Sequence, residues 1–184
     1  DGTSELRITA NDDVNGTTGI RAINNGSDGT FVTAIGDVTG TAAHGVVVFD
    51  YRDGAVYVEV ENVTGAYSGV RVRNYGYGVA DIEVSGTVDG GTGDGIDVYQ
   101  EGYSNVDVDI YAGAVVHGDT SAIRLTADNG SSLIIDNAGT LRNSSGLATD
   151  LVVTTSGGET DLENTSLMTG RVQFGSLADS LTNS

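Results

Sequence analysis

Residues 106–119, VDVDIYAGAVVHGD, alternate apolar and acidic side chains and then break at glycine. Period two is the signature of a β-strand with one buried face, because successive side chains point to opposite sides. In this reading Val108 points inward, while Asp107 and Asp109 line the outward face. A lone strand of this kind would say little about the fold. Its recurrence decides the matter.

A small residue followed by an aliphatic one recurs at Ile20, Val46, Val70, Ile96, Ile123 and Leu147, in steps of 26, 24, 26, 27 and 24. A second series, each member following a glycine, asparagine or serine break, runs Val14, Val38, Val63, Val88, Val115, Leu141 and Leu167. Two anchors sharing a period near 25 residues identify a solenoid. Two residues after the first anchor stand Ala22, Val48, Val72, Val98 and Leu125, and twelve after it Val32, Val58, Ile82, Val108 and Ile135. These columns stack aliphatic side chains inside a coil. The enrichment in Val, Ile, Thr and Tyr suits strand, and no helical periodicity is present.

A repeat of this length with short strands and Gly/Asn turns predicts an all-β fold. The expectation is a single-stranded parallel β-helix, right-handed by the usual crossover preference. One repeat array spans residues 1–184, with about seven coils of roughly 25 residues and a length of roughly 30 to 35 Å. A propeller blade needs a longer repeat, and the leucine-rich signature is absent.

Composition narrows the partners. The net charge of -18 excludes nucleic acid and anionic membrane surfaces, and no apolar run approaches the length of a membrane span, so direct membrane insertion of this segment is not expected. All eight basic residues are arginine, which removes Schiff-base and phosphate-loop lysine chemistry. With no cysteine there is neither a disulfide framework nor a thiolate metal site. Proline is also absent and glycine numbers 28, so turns fall to Gly, Asn and Asp.

The acids of the opening segment belong to a wider column. Thirteen residues after the first anchor stand Thr33, Glu59, Glu83, Asp109, Asp136 and Thr160, and Asp81 and Asp107 lie beside them. Carboxylates about 5 Å apart repel by roughly 1 kcal/mol in water. Glu59, Asp81, Glu83, Asp107, Asp109 and Asp136 are therefore candidate Ca²⁺ ligands, because hard cations favour clustered oxygens. The competing reading is a solvated face that discourages aggregation. No other cofactor is expected. DGGTGDGIDV, residues 89–98, is similar to the calcium-binding nonapeptide of RTX β-rolls, but Gly95 stands where aspartate is required, which favours a Gly-rich turn.

One residue after the first anchor stand Arg21, Val47, Arg71, Asp97, Arg124 and Ala148, so Arg71, Asp97 and Arg124 are expected to pair across neighbouring strands. All eight tyrosines lie between Tyr51 and Tyr111. Tyr51 and Tyr75 share one position after the first strand of the repeat, and Tyr77 and Tyr103 another. With Tyr99 and the acids Asp53 and Glu101 they make a candidate ligand-binding turn face, suited to a glycan, a protein or a second copy of the chain. The alternative is that the rings brace successive turns. His44 and His117 each precede a glycine and stand too far apart to share a metal. No catalytic set emerges, since G-x-S-x-G is absent.

IDNAGTLRNSSG, residues 135–146, resembles the I-x-N-x-G-T-L/I turn repeated in passenger regions of bacterial autotransporters. TGRVQFGSLADSLTNS, residues 169–184, is similar to the T-G-x-V-x-L-G-x-x-x-D-x-L-x-N coils of the same proteins, and IEVSGTVDGG, residues 82–91, is a looser copy. The resemblance implies a secreted, extracellular module at the outer-membrane surface of a bacterium, in a longer chain that supplies a translocator barrel. It implies a non-enzymatic adhesin or stalk. Two other readings stay open: a filament or surface-layer element stacking end to end, and a polysaccharide lyase, hydrolase or tailspike-like β-helix.

Overall fold

In a computed structural model of the chain, which describes residues 4–184, aliphatic rows stack into a parallel β-solenoid, with no helix among the described residues. The first circuit contains β1 (Leu6–Ala10), β2 (Val14–Gly16) and β3 (Ile20–Asn24), one strand for each of three faces. In the second, β4 (Thr30–Gly40) runs from the first face onto the second, and β5 (Val46–Asp50) forms the third. β6 (Val56–Gly65) and β7 (Val70–Asn74) repeat that arrangement. From there each face has its own strand: β8 (Ala80–Val84), β9 (Thr87–Gly90) and β10 (Asp94–Gln100), then β11 (Val106–Ile110), β12 (Val115–Gly118) and β13 (Ser121–Ala127). β14 (Ser132–Asn137), β15 (Thr140–Asn143) and β16 (Leu151–Ser156) follow. The array closes with β17 (Glu159–Asn164), β18 (Leu167–Thr169), β19 (Arg171–Gln173) and β20 (Ser180–Asn183).

Every strand pairing is parallel. The third face is a sheet of seven strands, β3-β5-β7-β10-β13-β16-β19, so six full circuits separate its ends. At about 4.8 Å per layer they lie about 30 Å apart.

Ile20, Val46, Val70, Ile96 and Ile123 stand in register on the third face, and Val32, Val58, Ile82, Val108 and Ile135 on the first. All of them are buried. Each such side chain contributes about 1.5 to 3 kcal/mol on leaving water, which makes these columns the main source of stability.

The sixth circuit, β14 to β16, departs from the even count. Val153, not Leu147, pairs with Ile123; Leu147 is 57% exposed in a turn that precedes β16. That turn lengthens the circuit, and every position counted from Leu147 shifts with it. Thr154 rather than Ala148 continues the row of Arg124, and Glu163 rather than Thr160 continues that of Asp136. Thr160 is buried instead, its hydroxyl 2.7 Å from that of Thr155. On the second face Val116 and Met168, not Val115 and Leu167, take the inward column. A one-residue slip exchanges the two faces of a strand, and Leu167 accordingly lies in solvent.

Glycine shapes the corner between the second and third faces. Gly40, Gly65, Gly90 and Gly118 are paired rung on rung. A Cβ at Gly65 would lie 1.9 Å from the Ser68 carbonyl oxygen, so this corner turns tightly only without a side chain.

Candidate functional site

Two surfaces carry the chemistry, and each is a product of register. On the outside of the first face Glu59, Glu83, Asp109 and Asp136 form consecutive rungs, as the spacing predicts, and Glu163 adds a fifth. Thr9 and Thr33 precede them and Thr182 follows. Asp81 and Asp107 pair in the adjacent column, which continues through Ile134 to Asp161. None of these acids takes part in an ion pair among the described residues.

This crowding alters their titration. Asp109 is pushed up to about 6, first by burial and then by the charges of Asp107, Asp136, Asp81 and Glu83. Burial also raises Asp81, helped by Asp107 and Glu83, and raises Asp107, helped chiefly by Asp136. The Tyr111 hydroxyl donates to Glu83 Oε2 at 2.7 Å, which holds the phenol up at about 12.

Of the six candidate calcium ligands, Asp107, Asp109 and Asp136 bring carboxylate oxygens within 4.8 Å of one another. Glu59, Asp81 and Glu83 do not enter that group. Three oxygens from a flat sheet are half or fewer of the six to eight that Ca²⁺ takes, so water would complete any shell there. Beside the set lies a cleft of about 280 Å³ lined by Asp109, Tyr111, Asp136, Asn137, Glu163 and Thr165.

The second surface is the rim between the third and first faces. A buried polar row, Asn24, Asp50, Asn74 and Gln100, builds its turns. Asn74 accepts the Gly76 N–H through Oδ1 at 3.2 Å and donates from Nδ2 to the Gly78 carbonyl at 2.7 Å. Gln100 donates to the Gly76 carbonyl at 2.9 Å, tying one turn to the next. In the circuit before, Asp50 accepts from Thr30 and from the Arg52 N–H, and burial raises its carboxyl. No sequence motif marked this row. Its only signal was an amide or acid recurring at each strand end.

The rim divides the candidate tyrosines into two kinds. Tyr51 and Tyr75 stack with centroids 5.1 Å apart and planes 6° apart, with Phe49 beside Tyr51 and a tilted Tyr99 beside Tyr75. Their facing surfaces serve each other, so they brace successive turns. Tyr77 and Tyr103 stack on no other ring among the described residues and are 67% and 75% exposed. Each lies beside a glycine of the next circuit instead. A Cβ on Gly102 would sit 2.9 Å from Tyr77 Cδ1, and one on Gly130 would sit 3.0 Å from Tyr103 Cδ1. Asp53 accepts the Tyr77 N–H and Asp128 accepts the Gly102 N–H, while Glu101 lies exposed on the same set of turns.

On the third face Arg71, Asp97 and Arg124 stand on consecutive rungs as expected, and the Arg71–Asp97 pair forms, but Arg124 pairs elsewhere. Asp97 takes Arg71 and Arg73, whereas Arg124 reaches Asp94 at 2.8 Å. Asp94, in the glycine-rich segment 89–98, is buried and also accepts from Ser121 at 2.6 Å. That segment turns between the second and third faces, and its aspartate is engaged structurally. His44 occupies a turn, but His117 lies in β12, 3.3 Å from Asp89. Comparison with known proteins finds no matching family model, no similar curated protein and no similar solved structure.

Proposed function

We propose that this chain is a non-enzymatic display module: a β-solenoid stalk that presents the tyrosine-bearing rim for adhesion to a partner or for self-association. Following the autotransporter resemblance, we place it outside the cell, on a bacterial surface. The observation that supports this reading is the exposure of Tyr77 and Tyr103. Folding leaves both rings exposed to water, without a ring partner among the described residues, on turns fixed by buried amides. Exposed aromatic surface of this kind on a rigid support is what partner anchors require.

Beads coated with the chain test the reading, scored for retention on a cell layer and for bead-to-bead clumping. The Tyr77→Ser/Tyr103→Ser double variant is expected to lose the greater part of either signal with its thermal melt nearly unchanged. Retention and clumping both equal to the parent would place the function elsewhere.

A further inference from the structure

We infer that the Tyr77–Tyr103 rim receives a cationic segment of a partner protein, with arginine or lysine side chains laid against the two rings. This inference rests on the rim being the binding surface. It adds the chemistry of what binds.

Charge complementarity selects the occupant. Asp53, Glu101 and Asp128 stand on the same turns as the two rings, and none takes part in an ion pair among the described residues. Backbone N–H groups hold two of these carboxylates in place: Tyr77 donates to Asp53 at 3.3 Å and Gly102 to Asp128 at 3.1 Å. Arg52 is the one basic residue on these turns, and the chain as a whole carries -18. An anionic partner is therefore repelled over its whole approach, whereas a cation is drawn in and meets fixed acceptors.

The rings add a second attraction that a neutral ligand uses less well. A guanidinium or ammonium over an aromatic face is attracted by the ring quadrupole, and the gain is larger where carboxylates complete its hydrogen bonds. The chain makes the same contact within itself, where the Arg7 guanidinium carbon lies 4.4 Å from the Phe31 centroid. Tyr77 and Tyr103 are exposed, with no arginine over either ring among the described residues.

The test titrates octa-arginine and, separately, maltoheptaose as a neutral glucan, at physiological ionic strength. The parent is compared with Tyr77→Ser/Tyr103→Ser, Tyr77→Phe/Tyr103→Phe and a first-face control, Asp109→Asn/Asp136→Asn, after melts confirm that each is folded. Removing both rings is expected to weaken octa-arginine about tenfold. The phenylalanine pair should keep nearly parental affinity, and the first-face control should lose less than about threefold. Ring-dependent binding of maltoheptaose with octa-arginine indifferent to the rings overturns the cationic partner and leaves the rim as a binding surface. Indifference of both probes to the rings overturns the rim as well. Octa-arginine weakened by the first-face control and not by ring removal moves the cationic partner to the acidic ladder and overturns this assignment.

Discussion

At Gly65 the absence of a side chain is a packing requirement, while at Gly113 it is a conformational one. A Cβ at Gly65 would overlap the Ser68 carbonyl oxygen at 1.9 Å. Gly113 has φ of 88°, and a Cβ there would meet nothing within 4 Å. Gly65→Ala is therefore expected to cost about 1 to 3 kcal/mol through displacement of the corner. Gly113→Ala should cost about 1 kcal/mol, from left-handed backbone alone. Urea unfolding of the two variants checks the ranking, and equal costs would mean that the corner yields. Such distinctions escape a reading of letters. Leu147 shows the limit from the other side: it follows a small residue at the right distance, yet it lies within a seven-residue turn, 144–150, that ends only where β16 begins. Composition marks both kinds of glycine and both kinds of leucine alike. Only the neighbouring backbone separates them.

Among the elements, the first face was the most legible, because β6, β8, β11 and β14 pair there without a register shift and their circuits stay near 26 residues. The columns of Val58, Ile82, Val108 and Ile135 and of Glu59, Glu83, Asp109 and Asp136 followed from alternation together with the repeat spacing. The buried amide row did not, since a polar residue at a strand end reads as exposed until its turn is known. The same ladder makes a prediction. Asp109 is held up at about 6 in the folded chain, so between about pH 7 and its unfolded value near 4 the folded state binds more protons than the unfolded one. Stability from this group must therefore rise as the pH falls through that window. His44 and His117, lowered chiefly by burial, act in the opposite sense below their ordinary value of 6.5. The difference between parent and Asp109→Asn isolates the carboxylate. The variant is expected to be more stable at pH 7.5 by about 1 kcal/mol, a figure reduced for solvent screening, and to lose that advantage by about pH 4.5. Urea midpoints at both pH values decide the matter, and an advantage independent of pH would assign the effect to packing.

For the whole molecule, parallel pairing between successive circuits means that each layer is stabilised only by the layers on either side. Stability is then distributed along the axis, not pooled in one centre. β10 has neighbours on both sides, β7 and β13, and nearly all of its residues are buried, whereas β20 pairs with β17 alone and all four of its residues are exposed. Tyr77 and Tyr103 sit on the turns that follow β7 and β10, in the middle of the array. Hydrogen exchange is expected to show the highest protection in β7, β10 and β13, falling toward β20, whose amides should exchange with little protection. Under this gradient the rim rests on the layers that open least. Its rings and carboxylates keep their spacing while the last circuit frays, so a ligand at the rim meets a preorganised surface. Uniform protection from β3 to β20 would mean instead that the solenoid opens as one unit, and the position of the rim within it would then confer no added rigidity.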